Sequence, residues 1–141
     1  METLVGPDFQ KKVIPLIQNA KREIDIVSYD WRWYGDRPAH ATQQLNIELV
    51  NASKRGVRVR AVLNTADQAT FLQTLGIKAK SLKDRRVLHA KLIIIDREKV
   101  VIGSHNLTSN AFTRNIEVSV ICDINEDNHR LFAFFENIYN Q

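Results

Sequence analysis

Two segments of this chain, Val87 to Ile95 and Val100 to Ser104, are largely apolar at both parities, and a short polar turn at Asp96, Arg97, Glu98 and Lys99 separates them. A strand with one wet face alternates apolar and polar residues, so an unalternated run marks a strand covered on both faces. The two runs are therefore expected to pair as a central hairpin. The remainder of the chain must supply a layer on each side of it.

The flanking periodicity supplies such layers. Glu23 to Tyr29 alternates and reads as a strand, residues 42 to 55 carry Leu45, Leu49, Val50 and Ala52 at helical spacing before Gly56, and Val57 to Leu63 reads as the next strand. Strand, helix, strand over this length implies a right-handed parallel crossover. Upstream, Asp8 reads as the cap of a helix carrying Phe9, Val13, Leu16, Ile17 and Ala20, with Pro15 expected to kink or shorten it. Thr65 with Gln68 reads as a capping box opening a short helix that closes at Gly76, before a brief strand over 77 to 81. Ile116 to Cys122 reads as a further strand, and Glu126 to Tyr139 as a final helix with an apolar stripe of Leu131, Phe134, Phe135 and Ile138. With no repeat and no linker in 141 residues, the expectation is one α/β domain, a mixed sheet of about six strands with about four helices on both faces.

If the hairpin turns on Arg97 and Glu98 without a bulge, His89 pairs with Asn106 and Lys91 with Ser104. Period-two geometry then aims all four side chains one way, and Ile93, Ile95, Val100 and Ile102 continue that face as core. An ammonium held beside an apolar face needs an anionic partner, and a phosphate would serve. Lys91 supplies charge, Ser104 and Asn106 supply neutral hydrogen bonds, and His89 supplies a nucleophile or proton-transfer group. Gly103, without a side chain, would let backbone or ligand come close.

The same residues carry a family resemblance. His89-Ala-Lys91, four residues, Asp96, six residues, then Gly103-Ser104-His105-Asn106 resembles the H-x-K-x4-D-x6-G-S-x-N motif of the phospholipase D superfamily, a string that a shuffled chain of this composition would show roughly once in half a million. With one motif in a short chain, it looks most like the small endonucleases of that superfamily. The resemblance implies an α-β-α sandwich, no cofactor, and a homodimer, because members use two motifs per active site. It implies that His89 attacks phosphorus to form a phosphohistidine while His89 of the partner subunit protonates the leaving oxygen and then activates water. Lys91, Asn106 and Ser104 would stabilise the phosphoryl oxygens, and Glu117 would accept from His89 Nδ1. Asp96, of opposite parity to His89, would be structural.

Other residues admit two readings. Trp31, Arg32 and Trp33, with Tyr34 and Arg37 close behind, either stack bases and clasp a phosphate backbone or form a packed loop or dimer contact. His105, in the motif's variable position, either packs or flanks substrate; His40 and His129 read as surface residues. Arg58 and Arg60 read as a solvated strand face, and Cys122 as a strand filler. A metal site of His89, Asp96 and Glu117 is weighed against the positive charge of Lys91, which stands where a dication would want carboxylates.

A net charge of +4 and a pI near 9.4 favour polyanionic partners, DNA or RNA before membrane lipid. No window approaches a membrane span, and the amino terminus as given has no export signal, so a cytoplasmic setting is expected. The leading expectation is a metal-independent endonuclease. Its alternatives are a lipid phosphodiesterase and a non-catalytic nucleic-acid-binding or dimerisation module.

Overall fold

The computed structural model describes residues 1–141. Seven strands, β1 (Glu2–Val5), β2 (Glu23–Val27), β3 (Arg58–Leu63), β4 (Lys78–Ser81), β5 (Leu92–Ile95), β6 (Lys99–Gly103) and β7 (Val118–Asp123), form one sheet in the order β1-β7-β6-β5-β2-β3-β4. The helices are α1 (Asp8–Gln18), α2 (Ala41–Lys54), α3 (Ala66–Gln73), α4 (Ser109–Thr113) and α5 (Arg130–Tyr139). Strands β2, β3 and β4 are parallel neighbours and every other pairing is antiparallel, so the sheet is mixed.

The two faces are covered unequally. Ile24, Ile26, Val59, Ala61, Ile93, Ile95 and Val101 face a core of 26 buried residues shared with α1 to α4, whereas Val27, Val62, Leu92, Ile94 and Val100 belong to a core of only 7 beneath α5. That thin side gains an ionic anchor. Asp25 and Arg60 are cross-strand partners, and Arg60 is buried, its guanidinium donating to Asp25 at 2.9 and 3.0 Å and to Glu136 of α5 at 2.6 Å. The rings of Phe135 and Tyr139 lie 4.9 and 5.0 Å from it. Only Arg58 of the expected solvated pair is exposed. A buried charge needs its partners, and α5 brings the second one.

Several expected boundaries move. Pro15 lies within α1 without ending it, and the cap is Pro7, while the Asp8 carboxylate accepts from Val5 N–H at 3.2 Å. Thr65 caps α3, but its hydroxyl meets the Gln68 side chain at 3.4 Å and closes no capping box on the backbone. Helix α5 begins at Arg130, and Phe134 of the expected stripe is exposed while Phe132 and Tyr139 pack inward. The strand expected from Val87 starts only at Leu92, so His89 and Lys91 lie in the loop before it. Two short elements, β1 and α4, lie outside the expected count. Cys122 packs among the residues beneath α5.

The hairpin register is shifted by one residue. Asp96 and Arg97 both take left-handed conformations, φ 54° and 53°, and Glu98 N–H closes the turn on Ile95 O at 3.0 Å. Pairing resumes as Ile95 with Lys99, leaving Glu98 as an extra residue on its strand. Three loop residues in place of two flip the parity. Ile93 and Ile95 share their face with Val101, and Val100 lies on the other. Asp96 has left the ladder because its carboxylate accepts from the backbone N–H groups of Lys21, Arg22 and Glu23 at 2.9, 2.7 and 3.0 Å.

Candidate active site

At one end of the sheet, β2, β3 and β6 finish while β5 and β7 begin, as the pairs Val27 with Leu92, Leu92 with Ile102 and Gly103 with Ser119 require. The chain therefore delivers Tyr29, His89, Lys91, Ser104, Asn106 and Glu117 to the same rim although no single strand face carries them.

His89 is exposed and held from behind. Asn64, just past β3, accepts from Leu88 N–H at 2.9 Å and donates to Leu88 O at 2.8 Å and Tyr29 O at 2.9 Å. One amide thus does for the loop what a neighbouring strand would do. An Asn directly after an apolar parallel strand is the available sequence signal for this clamp. The His89 ring lies 5.0 Å from the Tyr29 ring, and Lys91 Nζ stands 3.1 and 3.2 Å from the two imidazole nitrogens. Burial pushes the Lys91 ammonium below its ordinary pKa, and the charge of Glu117 opposes that shift.

Asn106 Oδ1 accepts from Asp30 N–H at 3.0 Å, which fixes the amide and leaves its NH2 group as a donor. Arg32, Tyr34, Asn110 and Asn115 continue from it as an open polar groove. Lys91 and Asn106 together present a cation and a neutral donor beside an imidazole.

The remaining candidates have other duties. The Ser104 hydroxyl donates to Val118 O at 3.2 Å and accepts from Val118 N–H at 3.0 Å, so its one hydrogen is engaged with β7 and not offered to a phosphoryl oxygen. At Gly103 it is the backbone of β7 that comes close: a Cβ there would run into Ser119 and stand 2.5 Å from Val118 O. Glu117 makes no hydrogen bond to His89; its backbone carbonyl accepts from Gly6 N–H at 3.0 Å, and its carboxylate reaches Lys91 through charge. Asp96 sits at the opposite end of β5 from the His89 loop, so His89, Asp96 and Glu117 do not converge.

Trp31 is 2% exposed, with Nε1 donating to Asn46 Oδ1 at 2.7 Å, and it is core, not a stacking platform. Its backbone bridges to Leu107, which turns the ring inward. Trp33 is half-buried, edge-on to Phe71 at 5.6 Å. Of Trp31, Arg32 and Trp33, only Arg32 lines the groove beside Asn106, with its Nε 3.3 Å from Asp30. His105 packs: Nε2 meets Gly6 O at 3.0 Å, Nδ1 meets Ser119 Oγ at 2.8 Å, and Phe9 stacks on the ring at 4.5 Å. A carbonyl only accepts, so Nε2 carries a hydrogen, and burial favours the neutral ring by lowering its pKa. His40 is no free surface residue: Nδ1 accepts from Thr42 N–H at 3.2 Å to cap α2, and Nε2 lies 2.9 Å from Ser109 Oγ. His129 is exposed.

The family described as cardiolipin synthase, PLD-like domain, matches residues 13–139. A phospholipase D of Rickettsia felis is 35% identical over 99 residues, covering 66% of this chain and 48% of that protein. The 5'-3' exonuclease PLD3 of Xenopus laevis is 28% identical over 130 residues, covering 78% of this chain and 26% of that one. The chain spans about half the length of the first of these curated relatives, and less of the second. The crystal structure of Nuc, a phospholipase D family member from Salmonella typhimurium, superposes with a TM-score of 0.81 at 24% identity, over 99% of this chain and 95% of that one. That likeness bears on the fold. No helix is long and apolar enough to cross a membrane.

Proposed function

Since this chain belongs to the PLD-like family of the phospholipase D superfamily, we propose that it is a metal-independent phosphodiesterase that cleaves nucleic acid endonucleolytically through a phosphohistidine, in a site shared by two copies. The observation that carries this reading is the Lys91 ammonium 3.1 Å from the exposed His89 imidazole, at the rim that also carries Asn106. In that contact the cation stands against both ring nitrogens, one of which a nucleophile must use. An arriving phosphodiester draws Lys91 onto a non-bridging oxygen, Asn106 NH2 takes another, and the freed imidazole attacks phosphorus. A phosphorus–nitrogen bond forms as the phosphorus–oxygen bond to the leaving strand breaks. His89 of the partner subunit, which enters the turnover protonated, gives that proton to the leaving oxygen and afterwards takes one from the water that hydrolyses the intermediate. A dication is unnecessary where Lys91 already supplies positive charge.

Support for a second copy comes from apolar residues around the site. Val5 pairs with Val118 on a part of the sheet that α5 leaves uncovered, where they are 62% and 54% exposed, and Ile116, two residues before β7, is fully exposed. Exposed apolar residues beside an incomplete site suit a two-fold partner. The same residues would suit contact with a bilayer, which makes a lipid phosphodiester the second reading. The nucleic-acid reading draws on the net charge of +4 and on the exonuclease among the relatives.

The test is incubation with plasmid DNA, single-stranded DNA, RNA and cardiolipin vesicles in excess EDTA. Cleavage of a nucleic acid that is abolished in His89→Ala and lowered about 100- to 1,000-fold in Lys91→Ala is expected. Cleavage of the vesicles alone selects the lipid reading, and activity restored only by a metal overturns the mechanism.

A further inference from the structure

The chain's 20 basic and 16 acidic residues are unevenly placed. Between Lys78 and Arg86 stand Lys78, Lys80, Lys83, Arg85 and Arg86 against Asp84 alone, so the rest of the molecule is electrically balanced and these nine residues carry its whole net charge of +4. All five cations are exposed. Arg86 pairs with Asp84. The other four have no carboxylate within ion-pair distance, although acidic side chains partner basic ones at many other places on the surface.

Their position in the fold gives the stretch a direction. Strand β4 is the sheet's edge, paired only with β3. Ala79 is buried in the larger core, which turns Lys78 and Lys80 to the α5 side, where Lys80 Nζ rests 4.3 Å from the Tyr139 ring. Because β4 runs parallel to β3, it ends at the rim that holds the site. The loop beyond carries Lys83, Arg85 and Arg86, and Asn64 then clamps Leu88 so that the next residue is His89. At about 3.3 Å per strand residue, Lys78 lies roughly 10 Å down the sheet edge from the end of β4. Unpaired like charges in a row repel one another until a polyanion neutralises them.

We propose that the β4 edge and the loop after it form a track for the backbone of a polynucleotide, holding the strand on one side of the scissile phosphate and leading it to His89. The inference rests on the nuclease reading above. A bilayer facing the rim would touch the loop but not Lys78, down the edge, whereas a strand lies along both. Buried Ala79 leaves no apolar anchor between the two lysines for lipid to use.

The experiment compares two charge-matched variants, Lys78→Gln with Lys80→Gln, Lys83→Gln and Arg85→Gln, and Lys11→Gln with Lys21→Gln, Lys54→Gln and Arg130→Gln, each removing four cations. Binding of a labelled single strand of about 20 nucleotides is followed against salt, where each phosphate that is no longer neutralised lowers the slope of log K on log salt by about 0.7. The track variant is expected to lose up to about 2.8 from that slope, and the ratio of kcat/KM on the long strand to that on a dinucleotide is expected to fall at least tenfold. The other variant is expected to keep both. Half-variants, the β4 pair alone and the loop pair alone, are expected to lose about half the slope each and guard against misfolding of the full one. Equal losses in both four-residue variants, or none in either, overturn the track while wild-type cleavage of the strand keeps the nuclease reading. Strand binding that disappears in the track variant of a protein that cleaves no nucleic acid keeps the track and overturns the nuclease reading. Loss of binding to phosphatidylglycerol vesicles with strand binding intact assigns the patch to a membrane and overturns the proposal.

Discussion

His105 stands next to Asn106 in the chain and never reaches the proposed site, yet it ties that rim together. Its ring bonds Gly6 O and Ser119 Oγ, Gly6 N–H bonds Glu117 O, and Phe9 covers the imidazole face, so one 3%-exposed side chain joins β1, β7 and the turn into α1. Burial pushes the His105 pKa below the ordinary imidazole value, with the Gly6 carbonyl and the charge of Glu117 opposing it. A ring kept neutral in the folded state takes a proton more readily when unfolded. Stability is therefore full above the unfolded pKa of about 6.5 and declines as pH falls below it. Urea midpoints are expected to drop between pH 7 and about 5.5, and His105→Gln, which cannot titrate, is expected to flatten that drop while being less stable at pH 7. An unchanged pH slope in the variant would assign the drop to other groups. The carboxylates that hydrogen bonds and basic partners hold low, Asp84, Asp96, Asp123 and Glu136, have unperturbed values below that window, and Asp25, which burial raises, acts in the opposite sense.

At the scale of elements, the site depends on how closely β6 approaches β7. A methyl group on Gly103 meets the backbone of β7 as well as the Ser119 side chain, so no rotamer change relieves it. Gly103→Ala is expected to cost about 1–3 kcal/mol of unfolding free energy by overpacking, and to lower activity further by parting Ser104 from Val118. A denaturant titration and an assay on the folded fraction check the two parts separately. What is legible in the sequence divides along the same line. His89, Lys91 and Asn106 can be read because motif spacing is local information, and the mixed sheet can be read because periodicity is. The duties of Ser104, Gly103 and Asn64 are hidden because each is defined by an atom far along the chain: Val118 O for the first two, Leu88 for the third. The hairpin register escapes the sequence because the Asp96 carboxylate is drawn to the amides of Lys21 to Glu23, which adds one residue to the turn. That single residue moves Val100 to the opposite face, yet His89 keeps its place because the Leu88 clamp holds it, while Gly103 N–H donates to Lys91 O at 3.4 Å.

The whole molecule offers one His89, while the proposed chemistry asks for a nucleophile and a leaving-group acid in the same turnover. Under a two-fold axis each residue meets its own symmetry mate only at the axis, so a dimer of this chain would hold one composite centre with both His89 rings on a single phosphate. Val5, Ile116 and Val118 are exposed apolar residues that such a partner could cover. Mixed dimers discriminate between shared and separate centres. If wild-type and His89→Ala chains are unfolded together, refolded in equal amounts and assayed, random pairing leaves both histidines in about one quarter of the dimers, so a composite centre retains about one quarter of the all-wild-type activity. Independent centres would retain about one half, because every wild-type chain keeps working whatever its neighbour. A value near one half, or a monomer by light scattering at the assay concentration, would overturn the shared centre and require the second proton-transfer group to come from within one chain. Of the remaining histidines, His105 and His40 have both ring nitrogens engaged elsewhere, and His129 lies at the amino end of α5, away from the site rim.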